Sequence, residues 1–372
     1  MNATFSMKQK GLSLIELMIA MGLGVLLLLA LSTIFITAHD SSKRRSTSEN
    51  LDEVARQVIE RLSYDLHKAG YVDPFSSVEA ARNTFDVENK TVFAIYSRQK
   101  SNLNNKNEAT TLGRITKGAV IPLLGCNGDF NGSTKPSLRE LASCNGDDIK
   151  LQQSIQVGYQ TVAPGILKNK ETATNPPSRS LTFQTEENES LSGAGRDCIG
   201  RVIGQNTTAD SGIVVNRYSV RLNDGIGSFG CASSVGEWQG IIEGVQEMTF
   251  RYLITPSNNT ASDGVVDMKK STSGLEVSKY LLASKVNDED LGWANVVGVE
   301  VCLVVAVEPM DNTKESSLAR TQPMVPTCER KNMNATTAKE EFKDDIKRKK
   351  DDFRLYKRYV QIISMPNSLY NP

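Results

Sequence analysis

The sequence predicts an α+β chain: one very long N-terminal helix, apolar in its first half and amphipathic in its second, packed on an antiparallel β-sheet domain. Three observations predict it. From Leu17 to Ala38 there are 22 residues without a formal charge, and at 1.5 Å per residue they make about 33 Å of helix, enough to cross a hydrocarbon core. Beyond Ser48, apolar residues recur at three- and four-residue steps on one face only. The last third of the chain holds strand-like runs rich in Val, Ile and aromatics, separated by Asn and Gly turns.

The first element begins Gly11-Leu12-Ser13-Leu14-Ile15-Glu16-Leu17 and is preceded by a short basic leader with Lys8 and Lys10. Glu16 is the one carboxylate near the start of the apolar run, and a charge there is costly unless it is paired. A removable secretory signal fits poorly, because its apolar region is only 7–15 residues and ends at a small-x-small site. A plain anchor would let Glu16 snorkel to the interface. Lys43, Arg44 and Arg45 follow the run, so the positive-inside count does not favour a cytoplasmic N-terminus.

The helix is expected to continue past the membrane. Leu51, Val54, Ala55, Val58, Ile59, Leu62 and Leu66 form a stripe, with Asp52, Glu53, Arg56, Glu60, Arg61 and Asp65 placed on the other face. Gly70 is a natural stop and Pro74 prevents continuation. No proline lies between Leu12 and Val72, so one helix of about 58 residues, roughly 85 Å long, is predicted.

Residues 75–240 read as loop-rich, with strands at Thr91–Tyr96 and Gly212–Val220 and a turn at Asn223-Asp224-Gly225. Asp129, Asp147 and Asp148 sit in Asn-Gly turns beside cysteines; without an EF-hand spacing they read as solvated turns, not a calcium site. Three late strands, Gly244–Ile254, Trp293–Val307 and Arg358–Met365, are expected to lie antiparallel in succession. Between the last two, Lys331–Lys350 is heavily charged, and Thr336–Lys350 within it reads as a short solvated helix with a capping box at Thr337 and Glu340.

Formal charge balances at 43 basic and 43 acidic residues, which gives no basic field for nucleic acid and predicts no direct nucleic-acid binding. Six cysteines, Cys126, Cys144, Cys198, Cys231, Cys302 and Cys328, all follow the apolar run. There is no C-x-x-C and there are only two histidines, His39 and His67, so zinc is not expected. An even count in a translocated domain suggests disulfides, and of fifteen possible pairings the order along the chain suggests three local loops: Cys126–Cys144, Cys198–Cys231 and Cys302–Cys328. No catalytic motif is present: no G-x-S-x-G, P-loop, G-x-G-x-x-G or H-E-x-x-H. Neither an enzyme nor a cofactor is expected.

The residues Lys10-Gly11-Leu12-Ser13-Leu14-Ile15-Glu16 resemble the type IV prepilin signal, a basic leader ending in Gly followed by an apolar helix with Glu at its fifth position. Leu12 stands where Phe is commoner. The resemblance implies cleavage between Gly11 and Leu12 by a membrane prepilin peptidase, N-methylation of Leu12, and pairing of Glu16 with the N-terminal amine of a neighbouring subunit. Further along, Ile242–Met248, Asp263–Asp267, Trp293–Val299 and a terminal strand from Arg358 are similar to the PilW family of minor pilins. The likeness covers roughly the first 75 and last 130 residues and does not extend to the middle, about 100–235.

That resemblance implies a type IV pilin-like fold. Its parts are a leader at 1–11, a transmembrane and filament-core helix at 12–38, an amphipathic extension at 39–70, and a periplasmic β-rich domain at 71–372 with a variable, disulfide-bonded insertion at 100–235. It implies a minor pilin of a tip or priming complex that starts pilus assembly and supports twitching, adhesion or DNA uptake. Its expected partners are the other minor pilins, the major pilin, the prepilin peptidase, the inner-membrane assembly platform and a large tip adhesin. Its expected place is the inner membrane before assembly and the pilus after it. A minor pseudopilin of a type II secretion system and a pilus-tip adhesin are the alternatives.

Overall fold

The computed structural model describes residues 13–71, the pieces 92–93 and 119–120, most of 123–160, then 166–172, 178–184, 196–201, 213–254, 279–286, 296–308, 322–333, 341–349 and 352–366, with a few isolated residues. Helix α1 spans Leu14–Lys68, 55 residues. Ser13 holds extended backbone before it (φ −69°, ψ 143°), and its carbonyl accepts from the Glu16 and Leu17 amides. At the far end Gly70 takes φ +74°, a left-handed step that ends the helix without a Cβ clash. Its amide donates to the Gly158 carbonyl at 2.9 Å, handing the chain to the sheet.

The strands in chain order are β1 (Val92–Phe93), β2 (Ala119–Val120), β3 (Leu123–Cys126), β4 (Ser154–Gln160), β5 (Ile166–Thr172), β6 (Ser178–Gln184), β7 (Ile213–Asn223), β8 (Ile226–Ser233), β9 (Gly236–Glu243), β10 (Val245–Ile254), β11 (Lys279–Leu281), β12 (Val296–Val307), β13 (Met324–Val325), β14 (Ile346–Lys347) and β15 (Leu355–Ser364). Two sheets supply the core. One is antiparallel with strand order β3-β4-β7-β8-β9; the other, also antiparallel, has the order β11-β10-β12-β15. The three late strands therefore pair in succession, with β11 added at one edge. Of the Thr91–Tyr96 run, only Val92–Phe93 falls within the described residues.

The stretch before 240 holds more regular structure than its turn-rich composition announces. The hairpin β7–β8 closes over Asp224 (φ +49°) and Gly225 (φ +80°), the two-residue turn that Asn-Asp-Gly favours. The next hairpin, β8–β9, closes over Ser234-Val235. Tyr218, Val220 and Phe229 on this sheet join Leu51, Ala55, Val58, Leu62 and Leu66 of α1 in one core. Val299, Val301, Leu303 and Val305 of β12 enter the same core from the second sheet.

Strand β12 is buried along eleven of its twelve residues, because both faces are covered. Its second face packs Cys302, Val304 and Ala306 against Cys328, Tyr356, Val325 and Phe342. Val325, Cys328 and Phe342 of that cover come from a strap, the described residues 322–333 and 341–349, whose later part is the charged stretch read from sequence as a solvated helix. Its described part is extended: Phe342 bridges Arg330, and Ile346–Lys347 pairs with Met324–Val325. The reason is local. Phe342 lies under the Arg330 and Arg358 guanidiniums at 4.2 and 4.0 Å, and Lys331–Glu341 and Lys343–Glu329 pair across the strap. These cross-chain pairs compete with the i,i+4 pairs a helix would use. The capping residues Thr337 and Glu340 lie outside the described residues.

Candidate assembly site on the N-terminal helix

The two halves of α1 have opposite surroundings. In the second half, Leu51, Ala55, Val58, Leu62 and Leu66 are at most 4% exposed. In the first half, every large apolar side chain from Leu14 to Ile36 is at least 49% exposed. The most apolar stretch has a mean hydropathy of 2.6, and none of it is buried by the rest of the chain. Burying a Leu or Ile side chain is worth about 1.5–3 kcal/mol, so this surface demands a bilayer or other helices around it. Glu16 lies in the first turn, where a carboxylate is favoured by the helix dipole and the free amides. Its side chain is exposed among Leu14, Ile15, Met18 and Ile19. Gly11 and Leu12 lie outside the described residues.

The second half is pinned as well as packed. Asp65, placed by its sequence period on the solvent face, is 2% exposed. One carboxylate oxygen accepts from the Tyr159 hydroxyl at 2.9 Å. The other accepts from the Asn216 amide at 2.5 Å and the Tyr218 hydroxyl at 2.6 Å. The Tyr159 and Tyr218 hydroxyls are pushed well above the ordinary tyrosine range, first by burial and then by the Asp65 charge. One turn earlier, Arg61 donates to the Cys198 carbonyl. The misplacement has a physical cause: Asp65 lies three residues after Leu62 and next to Leu66, within the arc that faces the sheet. A charge at that position signals either exposure or a buried pin, and the pattern alone does not separate them. Lower on the helix, Asp52 accepts from the Lys357 ammonium and the Tyr359 hydroxyl, both at 2.5 Å, tying α1 to β15. Those two hydrogen bonds hold the Asp52 carboxyl below its ordinary range.

The structure joins Cys126 to Cys144, Cys198 to Cys231 and Cys302 to Cys328, with Cα–Cα distances of 5.5, 6.3 and 5.9 Å. The first closes the Asn-Gly loop after β3, the second ties the Asp197 loop to β8, and the third ties the strap to β12. Among the described residues, no group of three His, Cys, Asp or Glu side chains is placed to hold a metal.

Residues 6–32 match the prokaryotic N-terminal methylation motif. The chain carries a prepilin-type signal. The match ends inside the exposed half of α1 and takes in Gly11, Leu12 and Glu16. No curated protein matches the chain. Among solved structures, a type IV-like pilin from Thermus thermophilus aligns over 58% of this chain and 78% of its own, at 11% identity. The TM-score is 0.21, too low for that likeness to bear on fold or function. The prepilin-type signal thus lies on an apolar helix that the described residues leave uncovered.

Proposed function

We propose that this chain is a type IV pilus minor pilin of the PilW kind. One observation carries the reading: the methylation motif lies on a helix whose apolar half is wholly uncovered while its other half is fixed to a folded domain. Such a subunit is stored in the inner membrane by residues 12–38, with the sheets on the periplasmic side. The prepilin peptidase cuts between Gly11 and Leu12, and Leu12 is methylated. On extraction by the assembly platform, the apolar half packs against helices of the major pilin and the other minor pilins. Glu16 then meets a neighbour's N-terminal amine, since two buried opposite charges are tolerated only as a pair. The subunit belongs to a low-abundance tip and priming complex, next to a large adhesin, and serves twitching, attachment or DNA uptake. It has no catalytic role.

The test is a Glu16→Ala strain beside a clean deletion. Leaving an amine buried and unpaired costs about 3–5 kcal/mol, so incorporation of the Ala variant into sheared pili falls by about 10²–10⁴ while its membrane level is unchanged. Wild-type incorporation of Glu16→Ala would sink the pairing mechanism. A deletion that stops exoprotein secretion and spares surface pili would assign the chain to a type II secretion system instead.

A further inference from the structure

The tetrapeptide Cys-Asn-Gly-Asp occurs twice, at 126–129 and at 144–147. The Cys126–Cys144 disulfide holds the two copies side by side. Phe130 bridges Cys144, and the Asn145 amide donates to the Asp129 carbonyl at 2.9 Å, so backbone bonds join them too. In an Asn-Gly pair the side-chain carbonyl carbon of Asn lies within reach of the next backbone nitrogen, and Gly carries no Cβ to obstruct the approach. With Cys before and Gly-Asp after in both copies, the local chemistry is the same. Only the surroundings differ.

In the first copy Asn127 is 3% exposed. Its side-chain amide donates to the Ser284 hydroxyl at 2.8 Å, and its side-chain oxygen accepts from the Ser284 backbone amide at 3.4 Å. A Cβ on Gly128 would meet the Lys150 side chain at 3.2 Å. Turning the Asn127 carbonyl carbon towards the Gly128 nitrogen therefore breaks both bonds to Ser284 in a crowded, buried place. The second copy differs on each count. Asn145 is exposed, and among the described residues its side chain makes no hydrogen bond. Gly146 is exposed at φ +79°, with no atom within 4 Å of where a Cβ would stand. The third Asn-Gly pair begins at Asn131, whose side-chain amide donates to the Cys144 carbonyl at 2.9 Å and the Ser143 hydroxyl at 3.2 Å. Its Gly132 lies outside the described residues.

We propose that Asn145 is a self-modification site, converted in the folded protein to aspartate and isoaspartate, while Asn127 is held back by the fold. The Gly146 backbone nitrogen gives up its proton and bonds to the Asn145 side-chain carbonyl carbon. The bond from that carbon to the side-chain nitrogen breaks, and ammonia leaves carrying the proton. Water then opens the cyclic imide, its hydroxyl going to one imide carbonyl carbon and its other proton to the ring nitrogen. Opening at the side-chain carbonyl gives aspartate. Opening at the main-chain carbonyl gives isoaspartate, whose backbone runs through the former side chain. The net change is amide plus water to acid plus ammonia, with no oxidant, reductant or cofactor. Either product adds a negative charge just before Asp147 and Asp148. Isoaspartate also lengthens the main chain by a carbon at the turn that Cys126–Cys144 closes. Exposure supplies the water at Asn145; burial withholds it at Asn127.

The test ages the purified full chain in detergent in a mildly alkaline buffer, digests it in acid and maps it by mass spectrometry. Amide-to-acid conversion is read at Asn127 and Asn145, and isoaspartate is read by labelling with an isoaspartyl methyltransferase. The same chain, reduced and unfolded in urea, serves as the reference without surroundings. The expected result is conversion of Asn145 about tenfold or more faster than Asn127 in the folded chain, because Asn127 must give up two hydrogen bonds. In urea the contrast disappears. Ser284→Ala removes the hydroxyl partner and speeds conversion of Asn127 by about two- to tenfold, leaving Asn145 unchanged. Asn145→Gln, whose longer side chain closes a less favourable ring, stops conversion at that position. The melting temperature of each variant is the folding control. Equal folded rates at the two positions, faster conversion of Asn127, or an unmodified Asn145 after the unfolded chain has converted would each overturn the proposal. So would a Ser284→Ala chain that melts like wild type and converts Asn127 no faster.

Discussion

Replacing Asp65 by alanine is the sharpest perturbation of how α1 is fixed to the domain. The carboxylate is 2% exposed and accepts three hydrogen bonds, from Tyr159, Tyr218 and Asn216. Alanine leaves three buried donors without an acceptor, and each such group costs about 1–3 kcal/mol. Allowing for hydroxyl rotation and partial collapse, the loss is about 3–6 kcal/mol, a large share of the 5–15 kcal/mol that holds a typical domain. Asp65→Asn keeps one acceptor but turns an amide towards the donors, and falls between alanine and wild type. The control is Asp52→Ala, which removes a half-exposed bridge to Lys357 and Tyr359 worth at most about 1 kcal/mol. The assay is urea unfolding of the full chain in detergent, followed by far-UV circular dichroism. With an m-value of about 3 kcal/mol/M, the midpoint of Asp65→Ala drops by about 1–2 M. If Asp65→Ala and Asp52→Ala shift the midpoint equally, the three-donor site is not the pin, and the apolar stripe holds the helix alone.

Tyr218→Phe removes a donor to the Asp65 charge and costs about 1.5–3 kcal/mol. Tyr252→Phe is neutral or stabilising by about 1 kcal/mol, because the buried Tyr252 hydroxyl has no partner among the described residues; parallel urea melts compare the two. Mutating Cys302 and Cys328 together to alanine frees a loop of 26 residues and costs about 3.5 kcal/mol on the chain-entropy model. Limited proteolysis then cuts within the strap, 322–349, first, since its Val325, Cys328 and Phe342 cover Cys302, Val304 and Ala306. Stability falls above about pH 10. Burial raises the Tyr159, Tyr218 and Tyr252 hydroxyls in the folded state, so the unfolded chain loses its tyrosine protons first. It then binds fewer protons than the native state, and rising pH favours unfolding. Urea midpoints from pH 7 to 11 check this, and a flat profile to pH 11 contradicts it.

What the sequence made legible depends on how local each signal is. The helix was legible because 55 residues without a proline, first apolar all round and then striped, admit few alternatives. Strands β10, β12 and β15 were legible because each is a long run with few turn residues. Strands β8 and β9 were not. Gly227, Gly230, Gly236 and Gly240 dilute their pattern, and Gly230 is required because the Trp238 ring lies where its Cβ would be, 2.3 Å away. A strand built to seat an indole looks like a loop in composition. The strap failed differently. Its charges satisfy the rules of a solvated helix, but the Cys302–Cys328 bond and the rings and guanidiniums around Phe342 outweigh intrinsic propensity. In the candidate site, Glu16 stands out in the sequence because a lone carboxylate in an apolar run is conspicuous. Asp65 was missed because a carboxylate beside Arg61 on an amphipathic helix is not.

The energetics of α1 constrain how such a chain can move. Sixteen large apolar residues between Leu14 and Ile36 are exposed. At about 1.5–3 kcal/mol each, reduced by the part the helix already shields, returning them to water would cost roughly 15–30 kcal/mol. That exceeds the 5–15 kcal/mol that holds a typical domain together. The apolar half therefore cannot pass through water as a free intermediate; on the proposed pilin role it would exchange lipid for protein contacts continuously. The same balance explains why the other half carries Asp65, Asp52 and a fully buried stripe. On the proposed pilin role, extraction by pulling on the folded domain would transmit its load through those contacts, so they would have to outlast the cost of each residue drawn from the bilayer. An apolar stripe alone supplies packing but no directional bonds to set the helix register. The directional hydrogen bonds of Asp65 to two strands fix its register.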